Sequence, residues 1–280
     1  MESGPRLGYV WIPLLFTGSG KARAHASGEN LADPNTLVMA IHPQAAPSRG
    51  PQRERQVQTL FSEIAPRYDL LNHVLSLNID RAWRRKAVDR LQVAGAPDGL
   101  YLDACAGTFD LSLELARRPE FRGRVVASDF AQPMLVEGAD KIRNASVAPV
   151  CGDSLALPFG DGVFHGATVG FGVRNLADLD RGFREFHRVL RPGGRLVILE
   201  FTVPPNRLVR AGYMLYFTRI LPLVGRLVSG HPWAYTYLPE SVKEFPGPGA
   251  LAARLEAAGF REAGYELVTM GIAAIHWATT

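Results

Sequence analysis

The sequence has 280 residues but only two cysteines and no long hydrophobic run. Cys105 and Cys151 can build neither a disulfide framework nor a metal-ligand spacing, so we predict no metal site. We interpret both as small buried side chains at strand ends, in a reducing compartment. No apolar run approaches the roughly 20 residues that a membrane-spanning helix needs. We therefore expect a soluble, cytoplasmic protein.

The excess of positive over negative charge is also small. The formal net charge is +4, and the six basic and four acidic side chains of residues 1–55 carry half of that excess. The remaining surplus of two positive charges is spread over residues 56–280, too thinly for a surface that follows a phosphate backbone. The composition therefore predicts no nucleic-acid partner.

A regular hydrophobic period is missing from residues 1–55, which are rich in Gly, Pro, Ser and Ala. We predict a disordered N-terminal extension there, followed by one domain over residues 56–280. Residues 9–16 (YVWIPLLF) could form a short secretion signal, but Pro13 interrupts them and only Arg6 precedes them, which disfavours secretion. A start of translation near Met39 explains the segment equally well.

The most informative stretch is residues 100–116, LYLDACAGTFDLSLELA. An apolar run typical of a buried parallel strand ends at Asp103, a turn of small residues reaches Gly107, and Leu111 and Leu115 follow at helical spacing. A strand, a tight turn and a helix in this order form the first unit of a nucleotide-binding α/β sheet. Main-chain N–H groups at such a turn have no helical partners and can face a polar ligand.

The pattern G-x-G-x-x-G is absent, so the turn lacks the glycines that the pyrophosphate of a dinucleotide requires. Asp103 and Asp110 would repel phosphates, but they suit a cationic ligand that carries an amino group. S-adenosylmethionine has no phosphate, one sulfonium charge and an α-amino group. The unit therefore predicts this cofactor, provided that the rest of the chain fits.

Strands and helices alternate after this unit. We predict further strands at residues 124–128, 148–151, 163–169, 195–201, 263–269 and 272–278, and helices at residues 55–69, 81–93 (capped by Asp80), 132–142, 179–190 and 248–258. This order favours an α/β fold, a Rossmann-like, seven-stranded and mostly parallel sheet with helices on both faces. The helices before the first strand would form an N-terminal lid over the strand ends, where ligands bind. Asp129 ends the second strand 22 positions after Gly107, the place of an acid that accepts two ribose hydroxyls.

By these features, residues 55–280 resemble the class I S-adenosylmethionine-dependent methyltransferases, and more closely the quinone C-methyltransferases of menaquinone and ubiquinone biosynthesis. The motifs that carry the resemblance are YDLLNHVLSLNIDRAWRR (68–85), DACAGTFDL (103–111), SDFAQPML (128–135), GDSLALPF (152–159), GFGVRN (170–175), RVLRPGGRLVILEF (188–201) and YTYLPESVKEFP (235–246). GFGVRN and the ending EFP…LAARLEAAGF are more similar to the menaquinone branch. The resemblance implies methyl transfer from S-adenosylmethionine to a ring carbon of a reduced polyprenyl quinone precursor, demethylmenaquinol to menaquinol.

The resemblance also implies that Thr108, Asp129, Asp153 and Ser154 bind the cofactor, in addition to Asp103 and Gly107 of the turn. Thr108 would hold the methionine portion, Asp129 the ribose, and Asp153 with Ser154 the adenine. The chain departs from the family at one point, because Phe109 stands where the family has a small residue. A ring at this position could crowd the methionine portion or force a negative φ angle.

Methylation of a quinol carbon needs a ring made nucleophilic by loss of a hydroxyl proton, together with close alignment and exclusion of water. The catalytic candidates are Tyr68, Arg174, Asn175 and Tyr235, with Asp69 and His73 as further candidates for the base. Arg174 could stabilise a quinolate and Asn175 could hold an oxygen. Each of these residues could also serve only as a structural contact of the lid or of a loop.

Residues 207–229 alternate apolar side chains with arginines. They could lie on an anionic lipid surface, or form a lid helix whose apolar face belongs to the core. With residues 74–77 they could hold a polyprenyl tail, which predicts peripheral contact with the inner face of the cell membrane and leaves a homodimer open. Two other functions stay open: C-methylation of another hydrophobic molecule (a benzoquinol, sterol or phenol), and a non-catalytic scaffold of a quinone-synthesis complex, suggested by Phe109.

Overall fold

The computed structural model describes residues 51–69, 76, 78–216, 219 and 234–280. Predictions made for residues 1–50, 70–75, 77, 217–218 and 220–233 lie outside this part of the chain. They include residues 1–50 of the disordered extension, His73, most of the proposed tail groove and the end of the basic-apolar segment. Residues 51–55, predicted as the last part of that extension, are helical.

A seven-stranded sheet forms the centre of the domain, in the order β3-β2-β1-β4-β5-β7-β6. Its strands are β1 (Leu100–Ala104), β2 (Arg124–Asp129), β3 (Val147–Cys151), β4 (Phe164–Gly170), β5 (Leu190–Phe201), β6 (Arg261–Val268) and β7 (Ala273–Thr279). The first five strands run parallel, and β7 pairs antiparallel with both β5 and β6. The predicted fold class is confirmed. The strand order reverses between β1 and β4, and ligands of open α/β sheets bind at such a switch point.

The described helices are α1 (Pro51–Ile64), α2 (Ile79–Arg90), α3 (Asp110–Ala116), α4 (Gln132–Gly138), α5 (Leu179–Val189), α6 (Arg207–Leu215), α7 (Ala234–Glu244) and α8 (Pro248–Ala257). The first begins four residues before its predicted start. A short 3₁₀ turn, Ala65–Arg67, follows it at the predicted breaker Pro66.

Successive side chains of a strand point to opposite faces of the sheet, and both faces are covered. Ile198 of β5 lies in a buried cluster with Phe186 of α5 and Leu251 of α8. Its neighbour Leu199 lies in another cluster, with Trp83 of α2. Full burial of each such side chain contributes roughly 1.5–3 kcal/mol, which explains why the central strands carry almost uninterrupted apolar sequence.

The boundary between α5 and β5 differs from the prediction. The R-P-G-G sequence was expected to separate a helix over residues 179–190 from a strand that starts at residue 195, but β5 starts at Leu190. Leu190 pairs with Phe164 of β4 before the register shifts at Gly166, and Gly193 adopts φ +78 within the irregular segment. The helix ends at Val189, one residue before its predicted end, but the turn residues lie within an irregular part of the strand instead of separating it from the helix.

The start of α2 also differs. Asn78, at φ +61, is the N-cap residue, so the prediction that Asp80 caps this helix was wrong. Asp80 lies in the first turn, where it accepts a hydrogen bond from Ser76 Oγ at 2.5 Å and pairs with Arg84. The Asp80 carboxylate therefore holds Arg84 of the same helix in place and does not cap the helix.

Helix α7 was not predicted, because Pro239 lies inside it and proline normally ends a helix. It contains two residues of interest, Tyr235 and Tyr237. The backbone of Tyr235 is helical, but its side chain lies outside the described residues.

Phe109 behaves differently from both expectations stated for it. Its φ is +72, and its ring is completely buried. The ring packs with Leu113, Ala127, Leu135 and Ile142, against α4. The chain thus accepts a strained backbone at this position, and the buried ring offsets its cost.

Gly138 makes room for this ring, because a Cβ placed there would lie 2.6 Å from Phe109 Cδ2. We expect Gly138→Ala to lower the free energy of unfolding by about 1–3 kcal/mol through overpacking. Phe109→Gly should lower it by about 2–4 kcal/mol, since loss of the buried ring outweighs relief of the strained φ. The double variant should lose less than the sum of the two, as measured by urea unfolding.

Gly212→Ala in α6 is the matched control, since no atom of the described residues outside its own helix backbone lies within 4 Å of the added Cβ. It should be neutral or stabilising by about 0.5–1 kcal/mol. Strict additivity of the first two substitutions would contradict the contact between Phe109 and Gly138.

Candidate functional site

A cleft opens at the carboxyl ends of β1, β2 and β4, with about 610 Å³ of space free of protein atoms. Its walls include six of the residues predicted to form the site: Tyr68, Gly107, Asp129, Asp153, Ser154 and Asn175. Parallel strands bring these distant parts of the sequence together because all their carboxyl ends meet at one edge of the sheet.

Asp129 is held rigidly at the floor of this cleft. Its Oδ2 accepts the main-chain N–H of Gly107 and its Oδ1 accepts that of Ala131, both at 2.8 Å. Its residue exposure is 6 %, and burial raises the pKa of the carboxyl while these N–H groups oppose the rise. Each oxygen keeps a lone pair, so the carboxylate can still accept two hydroxyl donors.

Asp153 and Ser154 follow β3 on the next wall of the cleft. Asp153 Oδ1 accepts the main-chain N–H of Leu155 at 2.8 Å, which fixes the carboxylate and leaves Oδ2 for a further donor. Ser154 is buried, with its Oγ 3.5 Å from Cys105 Sγ. The structure thus brings the predicted ribose and adenine residues into one cleft.

The two cysteines differ from each other. Cys105 is partly buried beside the cleft, and burial raises the pKa of its thiol to about 12, so it stays protonated and is a poor nucleophile. Cys151 is exposed at the end of β3. The expectation that both are buried was therefore wrong for Cys151.

A smaller cavity, with about 320 Å³ of space that includes open solvent, adjoins the cleft and shares Tyr68, Cys105, Gly170 and Phe171 with it. Its walls also include Asp103, Thr108 and Asp110, the residues predicted for the methionine portion of the cofactor, and one cation, Arg84.

Asp103 lies deep in this wall, with 1 % of the residue exposed. Ser112 Oγ donates to its Oδ2 at 2.6 Å, and Thr168 Oγ1 donates to its Oδ1 at 3.0 Å. Burial is the larger effect and raises the pKa of Asp103 to about 6. The carboxyl therefore shapes the strand end and gives the cavity an acidic wall whose charge depends on pH.

Thr108 connects the turn to the segment before α2. Its hydroxyl donates to Asp69 Oδ1 at 2.5 Å, and Lys141 Nζ lies 2.5 Å from Asp69 Oδ2 and 3.0 Å from Asp110 Oδ1. Asp69, a candidate base in the sequence, is thus engaged by a hydroxyl and an ammonium group. Phe61 and Tyr68 of the same N-terminal segment line the cleft, as the predicted lid requires.

The catalytic candidates are only partly together. Tyr68 and Asn175 line the cleft, and Asn175 Oδ1 accepts a hydrogen bond from Tyr237 Oη at 2.9 Å. Arg174 lies behind this wall, where its Nη1 donates to Glu200 Oε1 at 2.7 Å and to the carbonyl of Phe171 at 2.6 Å.

Three polar residues of this region were missed by the sequence analysis: Glu200, Tyr237 and Arg84. Glu200 follows the same strand-end pattern that identified Asp129, so its position in ILEF could have revealed it. Tyr237 lies on the helix that was not predicted. Arg84 was hidden because a long-range contact, and no local pattern, brings it to the cavity.

These features fit S-adenosylmethionine, which offers two ribose hydroxyls, an adenine amino group and a charged methionine portion but no phosphate. Gly107 provides an independent test of the fit. A Cβ built there would contact Met134 Cε at 3.4 Å and Tyr68 Cε1 at 3.6 Å, two residues of the cleft, so glycine keeps the floor open. Asp129 and Asp153 would hold the adenosine portion, and the smaller cavity the methionine portion.

Comparison with known proteins gives concordant results. The sequence profile of the ubiE/COQ5 methyltransferase family matches residues 50–280. A demethylmenaquinone methyltransferase of Thermus thermophilus is 51 % identical over 219 residues, which are 78 % of this chain and 98 % of the relative. A protein of the same name from Deinococcus radiodurans is 46 % identical, covering 81 % and 96 %. The ubiquinone/menaquinone biosynthesis C-methyltransferase UbiE of Geobacter sulfurreducens is 41 % identical, covering 80 % and 88 %.

Solved structures with low identity share the fold. The [4+2]-cyclase SpnF superposes with a TM-score of 0.60 at 17 % identity, covering 81 % of this chain and 96 % of that one. A SAM-dependent methyltransferase from Aquifex aeolicus superposes with a TM-score of 0.51 at 17 % identity, covering 70 % of this chain and 88 % of that one. The Rossmann-like class I architecture predicted from the motifs is confirmed.

The raised pKa of Asp103 predicts a pH-dependent stability. Ionisation is favoured in the unfolded chain above about pH 4 but in the folded chain only above about 6. The stabilising contribution of the neutral carboxyl is therefore complete below about pH 4 and is lost as the pH rises through 6. Relative to Asp103→Asn, the wild type should lose up to about 3 kcal/mol of unfolding free energy over this interval, in urea titrations at several pH values.

Asp98→Asn, which removes an exposed carboxylate at the opposite end of β1, is the matched control for the unfolding measurement. A difference between wild type and Asp103→Asn that stays constant from pH 4 to 7 would contradict the prediction.

Proposed function

The chain belongs to the ubiE/COQ5 methyltransferase family, and on this premise we propose that its substrate is a reduced demethylmenaquinone. The protein is an S-adenosylmethionine-dependent C-methyltransferase of quinone biosynthesis. The observation that carries the proposal for the site is the convergence of Asp129, Asp153 and Asn175 in one cleft. The acids suit adenosine, and the amide suits a quinol oxygen.

Two similarities support a naphthoquinol in preference to a benzoquinol. The relatives that are 51 % and 46 % identical are named for demethylmenaquinone, while UbiE of Geobacter sulfurreducens, named for both quinones, is 41 % identical. The GFGVRN segment, which contains Arg174 and Asn175, also resembles the menaquinone branch. A fused ring needs a broad apolar wall, and Phe61, Phe130 and Phe171 line the cleft.

When bound, S-adenosylmethionine supplies an electrophilic methyl group whose sulfur leaves as a neutral thioether. The chain itself mainly aligns the reactants and excludes water. We propose that Asp129 and Asp153 fix the adenosine portion and that Tyr68 and Asn175 face the quinol. The ring carbon of the quinolate gains the methyl group and then gives up its proton to solvent water, which restores the aromatic ring.

Arg174 supports the charge of the quinolate in this proposal. Its side chain is 7 % exposed, and its Nε has no hydrogen-bond acceptor among the described residues. Arg174 lies behind the wall that Asn175 forms, so its charge would act on a quinol oxygen across that wall and not through a direct hydrogen bond. Glu200, paired at 2.7 Å, balances the cation and holds the guanidinium beside Asn175. A cation near the substrate lowers the pKa of a quinol hydroxyl and favours the nucleophilic form.

The scaffold hypothesis loses the observation that suggested it. Phe109 was suspected of blocking the cofactor site, but its ring packs against α4 and is not among the residues that line either cavity. The chain keeps the acids and the open glycine turn that a methyltransferase needs.

Incubation with methyl-labelled S-adenosylmethionine and a reduced demethylmenaquinone with a short prenyl tail tests the proposal. We expect label on the naphthoquinol ring. Asp129→Asn should slow transfer at low cofactor concentration by about 10–100-fold, since an amide loses charge-assisted hydrogen bonds to the hydroxyls and to its own backbone donors.

Asp98→Asn is the matched control and should transfer methyl groups at the wild-type rate. Label that enters a reduced benzoquinone but no naphthoquinol would overturn the substrate assignment. Full activity of Asp129→Asn would contradict the assignment of Asp129 to cofactor binding.

The polyprenyl tail suggests contact with a lipid surface, and α6 offers a face for it. Leu208 is 84 % exposed and Leu215 is 60 % exposed, two turns apart on one side of the helix, while Tyr213 is buried on the other. Arg207 is also exposed at the start of this helix. None of the helices within the described residues has the length and hydropathy to cross a bilayer. We propose peripheral docking through α6; the cytoplasmic location and a homodimer stay predictions.

Co-sedimentation with phosphatidylcholine vesicles, with and without phosphatidylglycerol, tests this surface at low salt. The double variant Leu208→Ser with Leu215→Ser should bind about tenfold more weakly than the wild type, because two apolar side chains no longer enter the lipid. Val136→Ser removes a similarly exposed apolar side chain from α4 and should have no effect. Equal binding by the double variant would exclude α6 as the docking face.

A further inference from the structure

The smaller cavity contains charges of both signs. Asp103 and Asp110 lie in its wall, and Arg84 is the one positively charged side chain among the described residues that line it or the adjoining cleft. The methionine portion of S-adenosylmethionine carries an α-ammonium and an α-carboxylate. The acids can account for the ammonium, but they would repel the carboxylate, which needs a cation of its own.

Arg84 is buried and held in place. Its side chain is 9 % exposed, its Nη1 pairs with Asp80, and Asp80 is itself fixed by Ser76. The guanidinium carbon lies 5.9 Å from the centre of the Phe171 ring, and Phe171 lines both cavities. A side chain fixed in this way presents its donors without a further loss of conformational entropy.

The second contact of Arg84 is looser. Its Nη2 lies 3.2 Å from Asp110 Oδ2, and this buried oxygen has no hydrogen-bond partner among the described residues. A guanidinium offers five N–H donors, of which the pair with Asp80 uses only part. Arg84 can therefore bind another carboxylate, and Asp110 can turn to a cation, with little rearrangement.

The charges around the cavity also favour this exchange. Arg84 and Lys141 face the carboxylates of Asp69, Asp80 and Asp110, so negative charge exceeds positive charge even when Asp103 is neutral. The ligand brings a sulfonium, an ammonium and a carboxylate, and so carries one excess positive charge. The two distributions are complementary only if the ligand carboxylate lies at a protein cation.

We infer that Arg84 binds the α-carboxylate of the cofactor's methionine portion, beside Asp110, and so selects a ligand with an intact amino-acid group. This inference rests on the proposed function for its cofactor. It adds a recognition residue from α2, a helix that precedes the nucleotide-binding unit in the sequence.

Calorimetry with two ligands separates this role from a structural one. The probes are S-adenosylhomocysteine and its decarboxylated analogue, each titrated into the wild type and into Arg84→Gln. The analogue should bind the wild type about 10–100-fold more weakly than S-adenosylhomocysteine. Arg84→Gln should lower the affinity for S-adenosylhomocysteine by the same factor. Its affinity for the analogue should stay within about threefold of the wild-type value.

Arg85→Gln, which removes an exposed arginine from the same helix, is the matched control and should bind both ligands like the wild type. Arg84→Lys keeps the charge but loses the planar fork, so it should bind S-adenosylhomocysteine about 3–10-fold more weakly. If circular dichroism shows that Arg84→Gln is unfolded, the inference is tested by the affinities of Arg84→Lys and by the difference between the two ligands in the wild type.

The inference would be overturned if Arg84→Gln lowered the affinity for both ligands equally or for neither. It would also be overturned if the wild type bound the two ligands with the same affinity. A wild type that distinguishes them but does not methylate a naphthoquinol would overturn the substrate proposal and leave the inference standing. A wild type that binds neither ligand would overturn both.

Discussion

The carboxylate of Asp129 holds together the two loops that form the cofactor cleft. One oxygen accepts from Gly107 in the turn after β1, and the other accepts from Ala131 at the start of α4. Hydrogen bonds to an ionised group contribute about 1.5–3 kcal/mol each, so this one side chain fixes both loops. In the proposed site the same carboxylate would present its remaining lone pairs to the cofactor, so that one residue would serve both the rigidity of the cleft and its chemistry.

Packing around the turn follows from this constraint. The short path from Gly107 to α3 places Phe109 at φ +72, a conformation that suits a residue without a side chain. The chain offsets this strain by burying the ring against Leu135 and Ile142, in space that Gly138 leaves open. A departure from the family pattern at one position is thus accommodated on the far side of the loop, and the ligand side keeps its shape.

The parts of this structure that sequence can predict are those with a local signal. Strands are predicted by apolar runs, and an acid at the carboxyl end of a buried strand lies at the ligand edge of the sheet, which is why Asp129 was found. Asp153 was identified only through the family resemblance. The bulge in β5 was missed because it depends on pairing between Leu190 and Phe164, 26 positions apart. The direction of Arg174 was missed for the same reason, since Glu200 rather than the cleft takes its guanidinium.

Electrostatics connects the N-terminal segment to the reaction. Asp69 accepts from Thr108 and pairs with Lys141, which reaches Asp110, so the segment before α2 and the turn after β1 form one continuous network. This network holds a surplus of carboxylates beside the place proposed for a sulfonium, and Coulomb attraction is stronger there than in bulk water because the groups are partly buried. Methyl transfer removes the sulfonium charge. The attraction that favours binding of the charged cofactor is therefore weaker for the neutral thioether product, so the same acidic surroundings favour both capture of the one and release of the other.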